Sequence, residues 1–236
     1  MTAVFKRELR SFFTSPVGYV VLAILFAIGG YYFYLANMEA GYRSLYYVFS
    51  YLYSYACFLV LPILTMRLFS EEKRQKTDQA LLTAPVSLTG IVLGKFLAAM
   101  VVYFIGIAIT LVFGCVIAMA GAPAWSSILG NFLGLLMYGG MIIAAGLLFS
   151  CLTESQLIAA LVTFAFEIIL TSINYLKTAF ANSSLVTSVV EFLSVSERYN
   201  NFTGGTIRYD DVVFFLSMQA VFLFLAVRVL DRKRWN

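Results

Sequence analysis

Six long apolar runs make up most of this chain of 236 residues. They fall at about 17–36, 47–69, 89–120, 126–151, 156–176 and 212–230, each near the roughly 20 residues a helix needs to cross a bilayer. In hydrocarbon every backbone N–H and C=O needs a partner within the protein, so runs of this length fold as helices. Charged residues are only 12% of the sequence, about half the share in soluble domains. Too few charges remain to cover a soluble surface. The fold expected is all-α and integral to a membrane, with one domain over 1–236 and no linker or internal repeat.

Several chemistries are excluded. The sequence has no histidine, which removes His-dependent nucleophilic catalysis and His-ligated metal sites. Its three cysteines, Cys57, Cys115 and Cys151, stand singly in apolar sequence and support neither a disulfide framework nor a thiolate site. The stretch Gly90-Ile91-Val92-Leu93-Gly94-Lys95-Phe96 superficially resembles a phosphate loop. It lacks one residue between the glycines and has Phe96 where a hydroxyl must hold the metal. ATP hydrolysis in this chain is not expected, and no feature directs it to nucleic acid.

The basic residues are distributed unevenly. Of the 16 Lys and Arg, twelve flank one side of the six runs: Lys6, Arg7, Arg10, Arg67, Lys73, Arg74, Lys76, Lys95, Arg228, Arg232, Lys233 and Arg234. Arg43, Lys177, Arg198 and Arg208 fall on the other. The positive-inside rule then places both termini in the cytosol. Residues 1–14 carry Val4, Phe5, Leu9, Phe12 and Phe13 at helical spacing, with Lys6, Arg7, Glu8 and Arg10 on the remaining arc. That pattern suits a helix lying in the headgroup layer. Ser15-Pro16 is read as N-cap and first helical residue of the first span.

The longest charged stretch, Glu71 to Ser87, joins the second and third runs. Thr77 is placed to cap a short helix beginning at Asp78, with Ala80, Leu81 and Leu82 as an apolar ridge and Pro85 as its stop. Ser87 caps the third span. So short a helix is unstable alone, which leaves two readings: a loop packed on its own spans, or a docking helix for a partner.

Glu167 stands alone as an ionisable group deep in a span. Such groups face a bundle interior or a wet cavity, as a structural hydrogen-bonding group or as part of a substrate route. Gly130 and Gly134 form a GxxxG that permits close helix packing, either within the chain, the preferred reading, or at a dimer seam. Tyr42, Tyr46, Tyr47, Tyr51, Tyr53 and Tyr55 read as an interfacial belt, with lining of a path as the alternative for some of them. The polar segment 177–211 is expected to hold a short amphipathic helix around Leu185–Leu193, then an irregular stretch ending at Gly204-Gly205.

Three stretches together resemble one family. The N-terminal Phe5-Lys6-Arg7-Glu8-Leu9-Arg10 through Pro16-Val17-Gly18-Tyr19 is similar to the start of type-2 ABC exporter permeases. The run Glu71 to Lys95, with Leu81-Leu82-Thr83-Ala84-Pro85, resembles their coupling segment. Gly204-Gly205-Thr206 through Leu216, with the Arg232–Trp235 tail, resembles the gliding-motility-associated (GldF-like) branch. One departure is that Lys76 stands where the family often has Gly before Thr.

The resemblance implies six spans, an N-terminal interfacial helix, a cytosolic coupling helix and a re-entrant segment before the last span. It also implies a bacterial cytoplasmic (inner) membrane location and separate ATPase subunits that bind ATP and Mg. A second permease chain, identical or related, completes the assembly. Glu71, Glu72, Lys73, Thr77, Asp78, Leu81, Leu82 and Pro85 would then couple to the ATPase, and Glu167 is the candidate for the transport path. The rival readings are an ion-coupled secondary carrier using Glu167 and a non-transporting scaffold driven by an ATPase.

Overall fold

The computed structural model describes residues 1–77, 87–121, 123–179 and 194–234. The described residues are helical, without strands, and six of the helices are long and apolar enough to cross a membrane. The expected docking helix at 78–85 and the amphipathic helix at 185–193 lie outside the described residues.

Helix α1 (Thr2–Thr14) meets α2 (Pro16–Phe33) at Ser15, whose extended backbone and the following Pro16 start the span as expected. The Ser15 hydroxyl does not cap α2; it accepts a hydrogen bond from Arg67 Nη1 at 2.6 Å. The first span continues as a π-helical segment, Tyr34–Glu39. The second runs from α3 (Tyr46–Tyr51) through a π segment, Leu52–Ala56, to α4 (Cys57–Thr65) and then α5 (Ser70–Arg74). It extends past Phe69 into the charged stretch, after a break at Met66–Phe69.

The third span, α6 (Leu88–Ala120), is capped by Ser87, whose hydroxyl accepts from the Gly90 N–H at 3.2 Å. Beyond it come α7 (Trp125–Leu152), α8 (Gln156–Ala179), α9 (Val195–Thr203) and α10 (Tyr209–Arg234). Helix α7 is the most buried of the six spans and packs against α4, α6, α8, α9 and α10. Its small residues permit this. A Cβ at Gly130 would lie 2.6 Å from the Phe202 carbonyl oxygen, and one at Gly134 2.9 Å from Phe202 Cβ. The GxxxG is therefore a seat for α9 within the same chain.

Helix α9 corrects the expectation of an irregular stretch before Gly204-Gly205. Ser194 caps it by accepting from the Glu197 N–H at 3.2 Å. Asp211, buried at the start of α10, binds Arg198 at 3.0 Å and the Asn201 amide at 2.8 Å. Ser127 donates to the Thr203 carbonyl at 2.9 Å. Four elements, α7, α9, α10 and the turn between the last two, are thus joined at the end of the bundle opposite the basic cluster.

The tyrosine belt is divided. Tyr42, Tyr46, Tyr47 and Tyr55 are exposed, whereas Tyr53 turns inward and stacks on Tyr199 at 4.1 Å. Among the cysteines, Cys57 and Cys151 are buried and Cys115 is exposed on a span.

Candidate functional site

The break in the second span defines the first site. Interrupting a helix inside a bundle leaves N–H and C=O groups that water cannot reach, and neighbouring helices satisfy them here. The Ser150 hydroxyl, in the last turn of α7, accepts from both the Phe69 and Ser70 N–H groups at 3.0 Å. It also lies 3.2 Å from the Met66 carbonyl, to which it donates. Lys95 of α6 donates to the Leu68 carbonyl at 2.6 Å, and Lys73 of α5 donates to the Cys151 carbonyl. Pro62 and the Thr65 hydroxyl, which donates to Leu61 at 2.9 Å, precede the break.

A charge cluster surrounds it. Lys95 is only 1% exposed and lies 3.1 Å from both Glu8 and Glu72, with Phe69 beneath its ammonium at 4.9 Å. Arg7 reaches the same two carboxylates at 2.6 and 2.7 Å. Burial of the Arg7 guanidinium opposes its charge, but Glu8 and Glu72 outweigh that effect and its pKa is raised. Arg67 pairs with Glu71 at 2.8 Å, one turn along. These side chains line an open cleft of about 360 Å³ between α1, α5 and α6. A buried cation needs compensating anions and hydrogen bonds. Lys95 has both, and through them it ties three elements together.

Of the residues expected to couple to a partner, Glu71, Glu72 and Lys73 sit on α5, and Thr77 lies just beyond. The Thr77 N–H and hydroxyl both donate to the Glu72 carbonyl, at 2.9 and 3.2 Å, which closes α5. Asp78, Leu81, Leu82 and Pro85 lie outside the described residues. Lys76 is the one non-glycine residue with positive φ, at 55°, among those described. That is the left-handed position after a helix where glycine is favoured.

The second site is Glu167, fully buried on α8. Ala159, Thr163, Glu167 and Leu170 form the inward stripe of this helix, while Leu157, Leu161, Phe164 and Ile169 face outward. Tyr138 of α7, Tyr53 and Cys57 are near enough to interact electrostatically with the carboxyl group, and Tyr138 is the one that stands beside it as a hydrogen-bonding group. Neither of its oxygens has hydrogen-bonding geometry to a partner among the described residues, and the Tyr138 and Tyr199 hydroxyls are unpaired in the same way. Polar groups continue outward: the Tyr53 and Ser196 hydroxyls are 3.1 Å apart. Cys57 and Tyr103 are 3.4 Å apart. The two sites are separate, one at the basic end of the bundle and one inside it.

Lys95, Ser150 and the Arg198–Asp211 pair were not singled out by the sequence pattern. Ser194-Val195-Ser196-Glu197 is a readable capping signal, and it marks α9. Nothing local marks Ser150 as a backbone acceptor, because its role depends on a break in another helix.

Residues 10–173 match the family model described as ABC-2 family transporter protein, and the chain belongs to that family. The match runs from α1 through the span that carries Glu167. Among curated proteins, none matches the chain. The protein is accordingly a multi-pass membrane permease component of an ABC transporter, a family whose members work with ABC ATPase partners.

Proposed function

We propose that this chain is one half of a permease pair driven by two separate ATPase subunits, which bind ATP and Mg. The ATPases dock on the segment from Glu71 to Pro85, at the cytosolic face of a bacterial inner membrane, with both termini on that side. Glu71, Glu72 and Lys73 anchor the segment; Thr77 closes α5; Asp78, Leu81, Leu82 and Pro85 form the contact. Glu167 lies on the route taken by the cargo. The resemblance of 204–216 and of the C-terminal tail further favours the gliding-motility-associated branch.

The observation that carries this reading is the anchoring of α5. A segment that receives force transmits it only if its root is fixed to the spans. The root of this one is held by Ser150 and Cys151 of α7, Lys95 of α6 and, through Glu72, Arg7 of α1.

The test is copurification with the cognate ATPase and assay of transport-stimulated hydrolysis. The double variant Leu81→Asp, Leu82→Asp is expected to fold but to lose the ATPase. Two leucines buried at an interface contribute about 3–6 kcal/mol in transfer terms, before the costs of association. Normal copurification and stimulation in this variant would reject the docking role.

A further inference from the structure

A groove on the flank of the bundle shares the first turns of α6 with the Lys95 cluster but is lined by none of that cluster's charged residues. It has a volume of about 320 Å³ and runs between the first turns of α6 and the last turns of α10. One wall is Val92 and Leu93 of α6; the other is Leu223, Phe224 and Val227 of α10. Leu93 and Phe224 are among the exposed large hydrophobic side chains, so the groove opens sideways, where a spanning protein meets acyl chains. An unfilled apolar groove forfeits dispersion contacts along both walls, and water has nothing there to bond with.

One end of the groove is not apolar. Arg228 closes it, one turn beyond Phe224, with its guanidinium 5.2 Å from that ring. Arg228 is exposed and forms no salt bridge among the described residues. Thr89, in the first turn of α6, offers a hydroxyl on the opposite wall. Both residues lie near the helix ends, at headgroup depth for helices of this length. An arginine is the side chain best suited to a phosphate diester, which it binds with paired N–H donors. Asp231, one turn further, faces the same end and disfavours a headgroup with excess negative charge, so a single phosphate is the group that fits.

We propose that this groove is a binding site for one glycerophospholipid. An acyl chain lies between Leu93 and Val227, and the phosphate sits on Arg228 and Thr89. The site staples α6 to α10, whose direct packing the groove interrupts, and it is independent of the transport reading.

The experiment is native mass spectrometry of the purified, delipidated chain titrated with phosphatidylglycerol, with decyl maltoside as the competitor that has a chain but no phosphate. One lipid should bind per chain. Arg228→Gln should weaken binding about tenfold or more, as loss of a charge-assisted hydrogen bond does. Arg232→Gln, on the same helix end but outside the groove, should leave it unchanged. Val227→Trp fills the groove and should abolish binding. Should that variant fail to fold, Leu93→Trp fills the same volume from the other wall.

Undiminished binding to the groove-filling variant would overturn the site. So would equal weakening by Arg228→Gln and Arg232→Gln, which would indicate general charge attraction. Decyl maltoside competing as well as the lipid, with no effect of Arg228→Gln, would leave an acyl groove without a phosphate site and contradict the assignment. Occlusion of the groove by a second copy of the chain, with lipid bound only to monomer, would also refute it.

Discussion

Lys76 illustrates how one backbone angle carries the cost of a side chain. Its φ of 55° places a Cβ where it crowds the following carbonyl, a conformation that costs roughly 1–2 kcal/mol for residues other than glycine. Lys76→Gly is expected to raise the unfolding temperature of the purified permease and to slow amide exchange at 75–77, a gain of about 1 kcal/mol. No change would mean that the left-handed turn is not rigidly held. Glu167 poses the opposite case, a buried carboxyl that has Tyr138 beside it but no well-directed hydrogen bond among the described residues. An unpartnered buried polar group costs about 1–3 kcal/mol, so Glu167→Leu should leave thermal stability equal or higher. Glu167→Gln, which keeps shape but cannot ionise, should change transport. Loss of stability in the leucine variant would restore the structural reading of this residue.

Among elements, α5 depends most on its neighbours. Its five residues are too few to be helical alone, and its first amides are completed by a hydroxyl from α7. Ser150→Ala leaves the Phe69 and Ser70 N–H groups without an acceptor. It should destabilise by about 2 kcal/mol or more, with faster amide exchange over 66–77 before global unfolding. An unchanged exchange rate there would show that the break does not need Ser150.

The same elements show what the amino-acid pattern conveys. The six spans were legible because hydrocarbon demands unbroken apolar length, and α1, Ser87 and Pro16 because caps and amphipathic arcs are local. The break at Met66–Phe69 was not, since a helix interruption stabilised by Ser150 and Lys95 draws on residues about 80 and 30 positions away. Lys95 was visible as a basic residue near a membrane surface, in a stretch that only superficially resembles a phosphate loop and at the end of the run that resembles a coupling segment, with nothing to mark it as buried. Its burial became evident once Glu8 and Glu72 were brought to it from two other helices. Helix α9 had its capping signal in plain view, outweighed by the polarity of its surroundings.

For the whole molecule, α7 is the hub. Its last turn holds α5, and its first turns hold α9 through Ser127, Gly130 and Gly134, so one rigid span connects the basic end of the bundle to the opposite end. The reading of this chain as an ATP-driven permease requires that the ATPase engage only one of those ends. Photocrosslinking tests this most directly: a crosslinking residue is placed in turn at Gln75, Leu81, Leu82 and Asn200 of the permease copurified with its ATPase. ATPase adducts are expected from Gln75, Leu81 and Leu82 and none from Asn200. Adducts from Asn200, or none from the segment after α5, would contradict this reading.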